Sequence, residues 1–223
     1  MLGLLLDAVS PLKRRVGAAL LKRRWAKLRA MGMHIGQGVN LPASTWIDTS
    51  HCFLINIGDW CGFGEQCLIL AHDAQMDEFL DAGLIAKVTI HESCHFGSRT
   101  IILPGVEIGP RTIVGAGSVV SKSLAPDTVC AGSPAKAICT LDEYLARHRE
   151  RLGQTPSLPW TEYNAAALTP EKLRRVLAAV DSGPAYLTGG FIEEVGGGGG
   201  TLRTPHDSSA KPHGVEFLKA RKK

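Results

Sequence analysis

The chain runs to 223 residues, 44% of them hydrophobic, with a formal net charge of +4. That is ample for one sizeable core with appendages. No apolar run reaches the length of a membrane-spanning helix, and no RNA- or DNA-binding motif accompanies the basic residues, so nucleic acid is not an expected partner.

The apolar start, Met1 to Val9, precedes its positive charges, the reverse of a signal peptide, and a cytoplasmic protein is expected. Up to Ile47, Lys13, Arg14, Arg15, Lys22, Arg23, Arg24, Lys27 and Arg29 stand against Asp7 alone. Within this basic segment, residues 1–33, the spacing predicts an amphipathic helix from Pro11 to Met31. Leu21, Trp25 and Leu28 sit at helical spacing, as do Leu12 and Val16. Such a helix can lie on an anionic membrane surface with Trp25 at the boundary, or it can pack on the main domain; both readings stay open.

From Ile35 the pattern changes to a period of six. Large apolar residues open hexads at Ile35, Leu41, Ile47 and Phe53, then at Ile57, Phe63 and Ile69 after a slip of frame. They stop between Asp73 and Val88, and resume at Ile90, Phe96, Ile102, Ile108, Val114 and Val120. Gly97, Gly109 and Gly115 fill second positions. Cys61, Cys67, Cys94, Thr100, Val106, Thr112 and Ser118 fill fifth positions. Six is not a helical period: at about 100° per residue the openers would scatter round a helix. It is a multiple of the strand period of two, so every opener can face one side. A chain that turns after each short strand and keeps one column inward is a β-helix. The cysteines show no CxxC spacing and read as free thiols acting as small hydrophobes.

These residues resemble the hexapeptide-repeat acyltransferases, and most closely the sugar O-acetyltransferases related to maltose and galactoside acetyltransferases. The resemblance covers about Ile35 to Ile138. It is carried by Ile69-Leu-Ala-His72-Asp73, by Val114-Gly-Ala-Gly-Ser-Val-Val-Ser-Lys122, and by Val129-Cys-Ala-Gly-Ser-Pro-Ala-Lys-Ala-Ile138. It implies an all-β core, a left-handed parallel β-helix of triangular section, with acetyl-CoA as donor and active sites between the subunits of a homotrimer. In the maltose and galactoside enzymes the catalytic histidine sits slightly later relative to the preceding repeat. The spacing here looks more like that of polysaccharide and lipopolysaccharide O-acetyltransferases.

O-acetyl transfer needs a base to take the proton of a sugar hydroxyl, and imidazole titrates in the right range. The resemblance makes His72 that base, with Asp73 or another carboxylate orienting the ring. The segment between residues 73 and 88, with Asp77, Glu78, Asp81, Phe79, Leu80 and Leu84, is expected to project and to help form a neighbouring active site. For the coenzyme, Ala116 and Gly117 remove bulk so that a pantetheine arm can lie along the coil. Lys122, and Lys136 with it, are expected to meet its phosphates as point charges, Ser121 forming with Lys122 the Ser-Lys pair of the coenzyme side; Gly97 and Ser98 can line the thiol end, where the resemblance also places His95. His91 and His95, with His72 as a third ligand, raise the zinc site of γ-class carbonic anhydrases. Second and sixth hexad positions need not face one way, and no metal is expected.

Residues 34–139 thus form the repeat domain and 140–194 a helical appendage, expected to brace the open end of the coil. Thr140-Leu-Asp-Glu143 is a capping box opening a helix to about Leu152, and Thr169 with Pro170 opens another from Glu171 to about Asp181. Residues 195–223, with a run of glycines, read as a flexible tail. The expected function is acetyl-CoA-dependent O-acetylation of a sugar hydroxyl in a polysaccharide, lipopolysaccharide or glycolipid precursor. The alternatives are transfer to an amino sugar, a zinc carbonic anhydrase-like enzyme and a non-catalytic scaffold.

Overall fold

The computed structural model describes residues 11–164 and 167–189. The apolar start before Pro11 and the glycine run and tail from Val195 lie outside them. Two compact units divide the described residues: Leu28–Tyr144, and a second comprising 11–27 together with the described residues from Leu145 to Gly189.

In the first unit the hexads form three parallel sheets. Sheet A holds His34–Ile35, Ile55–Ile57, Val88–Ile90 and Glu107–Ile108. Sheet B holds Gly62–Phe63, His95–Phe96, Ile113–Val114 and Thr128–Ala131. Sheet C holds Trp46–Ile47, Leu68–Ile69, Ile101–Ile102 and Val119–Val120. The chain visits A, B and C in rotation, with Asn40 and Leu124 supplying single bridges at the two ends. It is therefore a three-sided coil of parallel strands. Ile90 pairs with Ile108, Phe96 with Val114 and Ile102 with Val120, so one full turn is three hexads.

The inward column is the one the period of six predicts. Ile35, Leu41, Ile47, Ile57, Phe63, Ile69, Ile90, Phe96, Ile102, Ile108, Val114 and Val120 are all buried. Each such side chain contributes about 1.5–3 kcal/mol, which makes this column the main stabilising element of the unit. Phe53 departs from the expectation and is 55% exposed. The chain between Ile47 and Ile57 is longer than a hexad, and Cys52–Leu54 coil into a single 3-10 turn that turns Phe53 outward. The small fifth-position side chains do more than fill space: they donate to carbonyls at the corners of the coil. Cys61 Sγ reaches His91 O at 3.0 Å, Cys94 Sγ reaches Gly109 O at 3.0 Å, and Thr100 Oγ1 reaches Gly97 O at 2.7 Å. All six cysteines are free.

Second-position glycines let successive turns touch. A Cβ on Gly97 would lie 2.3 Å from Ala116 N. Gly97→Ala is accordingly expected to destabilise the coil by about 1–3 kcal/mol, since rigid backbone must move. Denaturant unfolding checks this.

The segment after Ile69 is an extruded hairpin. His72–Asp73 pairs antiparallel with Leu84–Ile85, and Asp77–Leu80 forms one helical turn at the tip. Phe79, Leu80, Leu84 and Ile85 are all exposed there. At the other end of the unit the chain doubles back after sheet B. Lys136–Thr140 pairs antiparallel with Thr128–Ala131 and covers the edge strand.

Three long helices occur among the described residues: α1 (Pro11–Ala30), α2 (Leu141–Gln154) and α3 (Pro170–Val180). Thr140 and Glu143 cap α2 reciprocally, Glu143 N donating to Thr140 Oγ1 at 3.2 Å and Thr140 N to Glu143 Oε2 at 2.9 Å. Thr169 Oγ1 accepts from Lys172 N at 3.2 Å at the start of α3. The expectation of an amphipathic α1 needs correction. In sequence its basic and apolar residues are spread round the whole helix; among its described side chains Val16 and Leu20 are exposed and only Leu28 is fully buried. That leaves no continuous apolar face to lie on a membrane. No helix among the described residues is long and apolar enough to cross one.

Candidate active site

Two interruptions of the repeat fall at the same corner, where sheet C passes to sheet A. The first follows Ile47 and the second follows Ile69, and these residues are Cα partners in adjacent turns. The irregular segments stack in consequence. Asp48 N donates to Ile69 O at 3.0 Å, and the Asp48 side chain reaches up to the start of the hairpin.

There it meets His72. Asp48 Oδ2 lies 2.5 Å from His72 Nδ1, with the carboxylate 1% exposed and the imidazole 35%. Ala71 N also donates to Oδ2, at 3.2 Å, while Ser50 Oγ at 2.6 Å and His51 N at 3.3 Å donate to Oδ1. Burial by itself pushes the Asp48 pKa up. The hydrogen bonds from Ser50, His72 and Ala71 and the charge of His72 outweigh it and hold the carboxyl at about 2. An ionised carboxylate only accepts, so His72 Nδ1 carries a proton, and in the neutral ring Nε2 is then left with its lone pair. A side chain so arranged can take a proton from a hydroxyl and hold the resulting imidazolium against a fixed negative charge. The His51 ring sits beside this pair, 4.8 Å from His72 between centroids.

Asp73 is not the orienting carboxylate. Its Oδ1 accepts from Gln75 N at 2.9 Å and caps its own turn. Sequence adjacency pointed to Asp73; the coil brings in Asp48 from the preceding turn.

Residues 87–122 match the bacterial transferase hexapeptide family (six repeats). A Bacillus subtilis protein named as an acetyltransferase is 29% identical over 125 residues, covering 56% of this chain and 70% of that protein. The galactoside O-acetyltransferase of Escherichia coli is 39% identical over 56 residues, a match spanning 25% of this chain and 28% of the enzyme. Residues 87–122 thus carry the hexapeptide repeat of bacterial transferases, and the relatives that match more of the chain are named as acetyltransferases. Among solved structures, a maltose O-acetyltransferase from Clostridium difficile is 22% identical with a TM-score of 0.43, covering 53% of this chain and 75% of that one.

In this hexapeptide-repeat chain the residues expected to meet the coenzyme fall at different places on one coil. Gly97 and Ser98 follow Phe96, and Ala116 and Gly117 follow Val114, so these four stack at the corner from sheet B to sheet C. Ser121 and Lys122 follow Val120 and share the His72 corner, two turns further on, a rise of about 10 Å. His95 points outward from sheet B, its Nδ1 side crowding the bare backbone of Gly62. That partial burial lowers its pKa. Lys136 lies exposed on the antiparallel strand. Among the described residues of one chain the three histidines do not gather into one ligand group: His91 Nε2 pairs with Glu107 Oε1 at 3.0 Å, and His95 lies outward on sheet B.

Between the two corners runs the outer face of sheet C. Trp46, Leu68, Ile101 and Val119 form an unbroken outward ladder in Cα register, with Trp46 49% exposed. The corresponding outward ladder on sheet A is polar: His34, Asn56, Thr89 and Glu107.

Proposed function

We propose that the chain transfers the acetyl group of acetyl-CoA to a hydroxyl of a carbohydrate acceptor, with His72 as general base. The Asp48–His72 pair carries this reading. The acceptor O–H gives its proton to His72 Nε2 while its oxygen bonds to the thioester carbonyl carbon. Asp48 holds the imidazolium through Nδ1–H. As the C–S bond breaks, the departing sulfur takes the proton back from Nε2, leaving acetyl ester, free thiol and a neutral imidazole. The carbohydrate acceptor is supported by the relative named for galactoside, and the acetyl donor by the acetyltransferase relatives.

The proposal includes a left-handed winding and a homotrimer, as the resemblance implies. The ladder Trp46–Leu68–Ile101–Val119 is the surface such an assembly would bury, and the corners flanking it carry the two halves of the site. Packing through sheet C would bring the Gly97–Gly117 corner of one copy towards the His72 corner of the next. The exposed apolar hairpin around Phe79 and Leu84 would cover the cleft from water. Ile101→Glu, at the centre of the ladder and outward, is expected to leave the coil folded, to convert the trimer to monomer in sedimentation, and to abolish transfer. A trimer that survives this substitution places the interface elsewhere.

The activity is tested by thiol release from acetyl-CoA, with the purified chain and a panel of neutral and acidic pyranosides. Turnover dependent on a sugar hydroxyl is expected. Absence of thiol release with every acceptor, or release only with amino sugars, overturns it.

A further inference from the structure

We infer that Asp48, His51 and His72 form a binding site for a divalent transition-metal ion such as zinc, whose occupation switches the general base off. The inhibition rests on the proposed role of His72; the binding does not.

One ligand atom from each of these three residues lies within 4.8 Å of the others. Zinc holds nitrogen and oxygen ligands at about 2.0–2.2 Å, which puts neighbouring donors roughly 3–3.5 Å apart. The separations from Asp48 Oδ2, 2.5 Å to His72 Nδ1 and 3.7 Å to His51 Nδ1, straddle that range. Two imidazoles with one carboxylate is a favoured donor set for zinc and for late first-row metals. The carboxylate is already oriented, with Ser50 Oγ on Oδ1 and Ala71 N on Oδ2, the outer support that ligating carboxylates require. The His51 and His72 side chains are 28% and 35% exposed, so an ion can enter from solvent and keep water in its remaining position.

The consequence for catalysis follows from proton positions. In the working state His72 carries its single proton on Nδ1, towards Asp48. A metal on Nδ1 displaces that proton to Nε2, the neutral ring merely changing tautomer. Nε2 then has no lone pair for the acceptor hydroxyl, and the base is lost without any change in fold. His51 supplies a ligand but takes no part in the transfer itself.

The test is equilibrium dialysis of the full chain against zinc, with metal analysis, alongside thiol release. The wild type is expected to take up one zinc per chain at this site, to lose transfer in step with loading, and to regain it with a chelator. His51→Gln keeps a hydrogen-bonding group beside Ser50 but loses a ligand. It is expected to weaken zinc binding by about 100-fold, to keep metal-free transfer, and to resist zinc. Thermal unfolding of the variant shows that it is folded. His72→Asn is expected to lose zinc as well, read by binding alone. If the wild type binds no zinc, or His51→Gln and His72→Asn bind it as the wild type does, the site is refuted. Zinc binding without any transfer in the metal-free wild type leaves the site standing and refutes the proposed activity instead.

Discussion

On the proposed role of His72, His72→Ala is expected to lower kcat for acetyl transfer by about 10²- to 10⁴-fold, the range that a positioned general base contributes, and to leave the Michaelis constant for acetyl-CoA within a few-fold of wild type. The reason for the split is geometric. His72 stands at the corner from sheet C to sheet A, whereas most of the small residues expected along the coenzyme stack at the corner from B to C. Loss of the ring removes the acceptor for the hydroxyl proton without touching the coil wall. The fold tolerates the change, because the imidazole is half-exposed and Asp48 keeps the donors Ser50, His51 and Ala71. Steady-state thiol release with and without acceptor measures both constants. A variant that turns over at the wild-type rate removes His72 from the chemistry. A variant with unchanged kcat but a raised constant for acetyl-CoA makes it a coenzyme contact instead.

The coil was legible because its period leaves no other solution: openers such as Ile90, Ile108 and Val120 recur at six, and each lands in the buried column. Its capping chemistry was equally local, since Thr140 and Glu143 sit three residues apart and cap each other's backbone N–H. Asp48 was not legible by such reasoning. It lies far from His72 in sequence, and only the turn-on-turn stacking of the coil makes them neighbours. The signal that could have found it is the pair of frame breaks. The slip of frame between Phe53 and Ile57 marks the first, and once Phe53 is seen to turn outward both follow an opener of the same sheet, Ile47 and Ile69, and emerge at one corner. Attributing the orienting role to Asp73 followed chain adjacency, which in a β-helix is a poor guide to what touches what. The outward apolar ladder was hidden for a related reason: Trp46, Leu68, Ile101 and Val119 each directly precede an opener, and they form a stripe only after the hexads are wound. For α1 the error was one of selection. Leu21, Trp25 and Leu28 do share a spacing, but the basic residues fill the intervening directions and the same face.

Asp48→Asn is expected to damage both rate and stability, and the two losses have separable causes. An amide presents a donor as well as an acceptor. With its oxygen kept towards Ser50 and His51 N, its NH₂ faces His72 Nδ1 and the Ala71 N–H. His72 must then turn its lone pair to that NH₂ and carry its proton on Nε2, where the acceptor hydroxyl needs a lone pair. Inverting a tautomer in this way costs about 10⁴-fold in the comparable serine protease arrangement, and a loss of about 10²- to 10⁴-fold in kcat is expected here. Ala71 N–H meanwhile loses its acceptor inside the corner, a penalty of about 1–3 kcal/mol. The acid behaviour distinguishes the carboxylate from a mere packing group. In the folded chain Asp48 titrates at about 2, below its ordinary value of 3.8, so the folded state prefers the ionised form. The resulting stability, about 2 kcal/mol, is fully present above the unfolded value and drains away as pH falls towards and through the folded one. Denaturant unfolding of the wild type and of Asp48→Asn between pH 7 and pH 2 should therefore converge at the acid end, the wild type losing its advantage as Asp48 protonates. Parallel curves over that range would mean that the carboxylate is not held ionised by the corner, and the tautomer argument for His72 would lose its footing.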